Sequence, residues 1–301
     1  MKNSYICTLV ILLLLITACS KSGINEGAVD KVSLAAVLAT PTRALALLDY
    51  QKNYLGSALD SVGWTGNISL CEAGTSSQLS KTRLVHRLNY FRRLSGLPDS
   101  VTLNDSLSRM CQEAALMMES NNRLDHHPTP DWHCFSRNGQ EAAAFSNLAL
   151  GASGPPVIDL YIADAGLSSL GHRRWILFPP LTQVGTGDTP NANALWVLGP
   201  FGPPVTVPFV AYPGNGFVPA PLVFAQWSFS VSGADFRQAA VLMTDSSGAV
   251  IALTSYTTPV GCGENTIGWQ PTSWNAGTLK GDALIHVLVT GVEVGGERER
   301  L

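Results

Sequence analysis

Near residue 203 the chain changes texture, and that break constrains its fold more than any other feature. Before it, apolar residues recur at helical spacing. Leu84, Leu88 and Phe91 share one helix face, with Arg83, Arg87, Arg92 and Arg93 elsewhere on the wheel. Gly96 and Pro98 stop that helix. Asn104 caps a second helix, along which Leu107, Cys111, Ala114 and Met118 form an apolar stripe. Met110, Met117 and Met118 read as core. Segments 139–150 and 156–164 read as helices, 170–177 as a short one, and 183–187 and 194–198 as strands. After 203, Pro and Gly rise. Short strands are predicted at 227–231, 239–244, 249–253 and 285–292, separated by turn residues. This order predicts an α+β chain that ends in a β-sandwich over 203–301.

The start of the chain carries a different signal. Lys2 precedes an uncharged apolar run from Tyr5 to Ile16. A membrane-spanning helix needs roughly 20 apolar residues, so this run is too short and fits a secretory leader. Ile16-Thr17-Ala18-Cys19 has the form of a lipobox: an aliphatic residue, two small ones, then a cysteine. The expectation is a cleaved signal over 1–18, a diacylglycerol on Cys19 and a polar tether over 19–39. Two or three acyl chains anchor a protein stably where one does not. The location implied is the cell envelope, lipid-anchored and extracytoplasmic; Ser20 in place of Asp points to the outer membrane if the cell is Gram-negative. Segment 40–79 is expected to be helical at first, with Thr40 as cap and Pro41 at the first turn, and turn-rich from Gly56.

Charge excludes one class of partner. The net formal charge is −3, charged residues make up 14%, and there is no basic run, so nucleic acid is not expected. Apart from Cys7 and Cys19, four cysteines remain: Cys71, Cys111, Cys134 and Cys262. An even count in an exported chain predicts two disulfides, with three connectivities open. Position favours Cys111 with Cys134, on a helix and the loop returning after it, and then Cys71 with Cys262.

Several pieces of the middle of the chain, in order, resemble one family. They are LVHRLNYFRRLSGLP (84–98), the LDH of 124–126, SNLALG (146–151), DLYIADAGLSSLGHRRWIL (159–177) and a VGTG ending at Gly187. Together they resemble the CAP superfamily of cysteine-rich secretory proteins, venom allergens and plant pathogenesis-related proteins. The resemblance implies a CAP domain over 80–202, built as an α-β-α sandwich around an antiparallel sheet with an open cleft. It also implies a cleft tetrad of two His and two Glu. Here His126 and His172 keep the His positions, Asp164 stands at one acid, and Ser146 stands where the other Glu would begin a Glu-Asn pair. Glu141 is a nearby acid that can substitute for it. The family's cation site rests on the His pair. Two neutral imidazoles with a carboxylate suit an open zinc site, so zinc is the cofactor expected if there is one.

With the acid complement weakened, the preferred expectation is a non-catalytic binding module whose cleft takes a small lipid, a glycan or a protein. One alternative is a metal-dependent hydrolase or peptidase using His126 and His172. Another is a structural or adhesive envelope protein. Arg173 and Arg174 are expected at the surface or reaching acids such as Asp159, and Trp175 in the core. There is no GxSxG, HExxH or phosphate-binding glycine loop.

Overall fold

The computed structural model describes residues 6–9, 41–295 and 297–300. The lipobox, Cys19 and the tether lie outside the described residues, as does all of the proposed leader except Ile6–Leu9. In chain order the elements are β1 (Ile6–Leu9), α1 (Arg43–Asp49), α2 (Gln78–Leu94), β2 (Thr102–Leu103), α3 (Asp105–Asn121), α4 (Arg137–Phe145) and β3 (Ser146–Leu150). Next come α5 (Pro156–Ala163), α6 (Gly171–Ile176), β4 (Gln183–Asp188) and β5 (Ala192–Trp196). Apart from two short 3-10 turns, the rest is strand: β6 (Val210–Tyr212), β7 (Gly216–Pro219), β8 (Trp227–Ser230), β9 (Ala240–Asp245), β10 (Val250–Ile251), β11 (Leu253–Thr257), β12 (Thr266–Pro271), β13 (Ala283–Val294) and β14 (Glu297–Arg300). The chain is α+β, with a strand-rich C-terminal region.

It divides into two units. One holds residues 49–93 and 97–206; the other holds 94–96 and the chain from 207 onward, together with the described residues before 49. In the first unit, β2-β4-β5-β3 form one sheet, parallel at β2–β4 and antiparallel elsewhere. Its helix α3 starts where Asn104 was expected to cap, the Asn104 side chain accepting from the Ser106 and Leu107 amides. Cys111, Ala114, Ala115, Met117 and Met118 pack against Ala192, Ala194 and Trp196 of the sheet.

The VGTG run explains how closely that helix sits. A Cβ at Gly187 would lie 2.1 Å from the Gln112 amide nitrogen, and one at Gly185 would lie 2.5 Å from the Leu107 Cβ. Only glycine lets α3 approach the sheet at that distance. On the opposite face, Tyr161 of α5 donates its hydroxyl to the Asn193 side chain and the Asn147 carbonyl. The sheet is thus covered on both sides.

One expected helix is wrong in its second half. Segment 139–150 is helical only to Phe145; Ser146–Leu150 turns extended and pairs antiparallel with β5. Leu148, Ala149 and Leu150 are good helix formers, but five paired positions in the sheet override that local preference.

The second unit has two sheets. One runs β10-β9-β13-β1-β7 with β14 on β13, and the other runs β11-β12-β8-β6. A single core draws on both: Met243, Ile285, Val287 and Val289 from the first, Trp227, Phe229, Ile267 and Trp269 from the second. That is a sandwich. The four strands expected here appear as β8, β9, β10 with the start of β11, and β13. β6, β7, β12, β14 and most of β11 were not expected. β12 reads TIGWQP, where Gly and Pro mask the alternation.

The disulfide differs from expectation. Cys71 bonds Cys134, with Cα atoms 5.0 Å apart, while Cys111 and Cys262 are free. The pairings Cys111–Cys134 and Cys71–Cys262 are therefore corrected. Cys111 sits on the face of α3 turned into the core, fully buried, and its Sγ lies 3.7 Å from Ser146 Oγ. Burial pushes its thiol up to about 12. Cys134 lies in the surface loop beyond α3, where its sulfur meets the Ile68 carbonyl of the turn that carries Cys71.

Candidate functional site

α3 ends at Asn122, whose left-handed backbone turns the chain into a loop running to Ser136. Ser136 caps α4 by accepting from the Gly139 amide. Gln140 of α4 donates to the Pro128 carbonyl and pins the loop from the other side. His126 lies in this loop, exposed, with Nδ1 2.8 Å from the Ala143 carbonyl. A carbonyl only accepts, so Nδ1 carries the proton and Nε2 keeps its lone pair in the neutral ring.

His172 stands in the first turn of α6. Its Nδ1 is 2.8 Å from Asp164 Oδ1. Asp164 ends α5 in left-handed backbone, which aims its carboxylate back at α6. Its other oxygen accepts from the Arg173 amide. The Asp164 side chain is 0% exposed and that of His172 is 25% exposed, so the acid is enclosed while the imidazole reaches solvent. The neutral His172 ring therefore also has its proton on Nδ1 and its lone pair on Nε2. Tyr161 lies beneath the ring, with centroids 5.3 Å apart.

Both imidazoles are tied to one short stretch of chain. His126 bonds the Ala143 carbonyl at the end of α4; Asn147, four residues on, donates to the His172 carbonyl. Neither Nε2 makes a hydrogen bond among the described residues. A carboxylate or carbonyl on one ring nitrogen, with the other left bare, is how ligating histidines are oriented.

The remaining expected contributors do not join them. Ser146 is buried and turns its hydroxyl towards Cys111, on the α3 side of the sheet. Because strand side chains alternate, Asn147 rather than Ser146 faces His172. Glu141 is exposed on α4 and makes no hydrogen bond among the described residues. Asp164 is spent on His172 and Arg173. Cys71, His133 and Cys134 are the one group of three potential ligands, within 4.8 Å of one another, among the described residues. Two of those three are the disulfide sulfurs. Neither His126 nor His172 belongs to a group of three potential ligands among the described residues, so a cation held by either Nε2 would lack a full set of protein ligands. That fits a loosely held cation but falls short of the three protein ligands of a catalytic zinc centre.

Sequence reasoning misplaced the arginines. Arg173 is buried and donates to the Ile162 and Ala163 carbonyls, and Arg174 is buried and donates to the Ser169 carbonyl. Arg173 satisfies the loose end of α5 and Arg174 holds the turn before α6; neither reaches Asp159. Arg87 takes Asp159, at 2.8 Å. Arg92, fully buried, donates to the carbonyls of Pro98, Ile176, Phe178 and Pro179. Burial lowers its guanidinium to about 10, still charged at neutral pH. It thereby clamps the chain that leaves the His172 helix. Trp175 is half-buried against Phe178 and Phe201 instead of in the core. The signal for these roles was present as the FRRL and GHRRWIL runs, whose arginines are too many for one solvent face.

No helix among the described residues is long and apolar enough to cross a membrane. The chain matches no curated protein and no solved structure. Residues 85–198, which carry both imidazoles, Asp164 and the VGTG run, match the family described as CAP, the cysteine-rich secretory protein family, and this segment of the chain is a CAP domain.

Proposed function

We propose that this is a lipid-anchored, extracytoplasmic CAP protein that binds rather than cleaves its ligand, with the His126–His172 pair as the cation-dependent part of its cleft. The observation that carries the reading is the fate of the acids. Asp164 orients His172 and faces no open position, and Ser146 is turned into the core. A metal-bound water would then have no carboxylate to take its proton. Zinc, if bound, would rest on His126 Nε2 and His172 Nε2 and would supply a point of attachment for a polar ligand group. The rival reading, a metal-dependent hydrolase, keeps one specific support: the Asp164–His172 bond also resembles the orienting half of a catalytic dyad.

The anchor half of the reading rests on the lipobox at Cys19. Removing the leader also removes β1, which lies between β7 and β13 in the second unit. Titration of the purified chain with zinc tests the site. Wild type is expected to bind one ion weakly, His126→Ala and His172→Ala to lose it while still folded, and no ester or peptide substrate to turn over. Unchanged zinc affinity in both variants, or zinc-dependent hydrolysis, would overturn the reading. For the anchor, radiolabelled fatty acid is expected on wild type and absent from Cys19→Ala; equal labelling would reject it.

A further inference from the structure

The second unit carries a pocket at one end of its β11-β12-β8-β6 sheet, well away in sequence from both histidines. Its volume is about 460 Å³, inside the roughly 300–1,000 Å³ of small-molecule sites. Two loops build it: residues 223–225, leading into β8, and residues 272–278, leaving β12. Loops on a rigid sheet are where binding residues gather.

Trp227, paired across strands with Trp269 and buried, forms the base. Trp274 stands on it edge to face, with centroids 5.7 Å apart, and is only half-buried. Its ring is thus fixed by packing yet still offers surface to the pocket. Phe224, stacked on Tyr212, adds a second half-buried ring.

The polar lining is of one kind. Every polar side chain in it is an amide or a hydroxyl, and none of the lining residues is charged. Gln270 is exposed and its amide makes no hydrogen bond among the described residues; the same holds for the Thr272 hydroxyl. Asn275 uses its carbonyl oxygen on the Gly277 amide, which orients its NH₂ and leaves it unbonded. An amide is donor and acceptor at once, which suits a ligand whose hydroxyls are both. Rigid aromatic rings beside neutral amides suit a ligand with an apolar C–H face and a rim of hydroxyls. An anion would find no cation here, and an acyl chain would leave the amides desolvated and unpaired.

We infer that this pocket binds a neutral oligosaccharide, with Trp274 stacking on a sugar ring and Gln270 and Asn275 hydrogen-bonding its hydroxyls. The inference is independent of the histidine site, since no residue is shared.

The test is calorimetric titration of the full-length chain, in a detergent without a sugar headgroup, with chitohexaose, cellohexaose, maltohexaose and laminarihexaose. At least one is expected to bind saturably, and hexagalacturonate is expected not to bind. Trp274→Ala should weaken binding roughly ten-fold, equal to about 1.4 kcal/mol. Trp274→Phe should restore part of the loss, and Gln270→Ala, at an exposed position, should weaken binding without touching the fold. His172→Ala should leave it unchanged. Saturation by none of the four neutral sugars, or equal affinity in the Trp274→Ala and Gln270→Ala proteins, would overturn the proposal.

Discussion

The two units bury different things. Arg87, Arg92, Asp164, Arg173, Arg174 and Asp188, the charged side chains buried among the described residues, all lie in the CAP unit. The buried polar residues of the sandwich are uncharged: Ser95, Gln226, Ser228, Ser230 and Thr266. Its core is built from Trp, Phe, Ile and Val on facing sheets. The CAP unit has loops and helix ends that must be held in place. Buried arginines do that by donating to several carbonyls at once. A sandwich has its backbone paired already, so apolar alternation suffices. The lesson is that in the CAP unit charge positions much of the backbone, and His172 inherits its geometry from Asp164 and from the Arg92 clamp behind its helix.

The largest break in this comparison is Arg92→Met. It removes the donor to four carbonyls and leaves them buried, at a cost of about 3–5 kcal/mol. Thermal unfolding with proteolysis as readout should show the CAP unit melting much earlier while the sandwich core still resists protease. Next is reduction of Cys71–Cys134, which closes a loop of sequence separation 63. The chain-entropy account gives about 4 kcal/mol, borne by the CAP unit alone. A reductant that lowered both transitions equally would show that the units are not independent.

A smaller effect concerns pH. Burial raises the Asp159 carboxyl to about 6, despite Arg87 and the Tyr54 hydroxyl pulling it down. Its unfolded value is about 3.9, so the folded chain holds that proton more tightly. Its stabilising contribution is full below about pH 4 and is lost as pH rises to about 6, by no more than about 3 kcal/mol. Asp159→Asn should flatten the CAP unit's stability over that window and leave the sandwich unaffected. An unchanged pH profile in the variant would reject this assignment.

Much of the architecture was legible in the residues. The texture break and the Asn104 cap each follow from local chemistry, and the motif order placed the CAP module. What was not legible depended on facing. A sequence shows that Ser146 replaces an acid, but not that its strand turns it towards Cys111 and presents Asn147 to His172. It shows four cysteines, but not that α3 buries Cys111 while a surface turn brings Cys71 to Cys134. It shows an excess of arginines, but not the carbonyls they serve. In each case the missing fact is a long-range pairing that no local preference encodes.

The central claim is that two bare imidazole nitrogens form the cleft's cation site without a third protein ligand. X-ray absorption at the zinc edge, on the zinc-loaded chain with its disulfide intact, tests it most directly. The account predicts a first shell of two imidazole nitrogens completed by water oxygens, and loss of that imidazole signature in His172→Ala. A shell containing sulfur, or one with a carboxylate that disappears in Asp164→Asn, would contradict it.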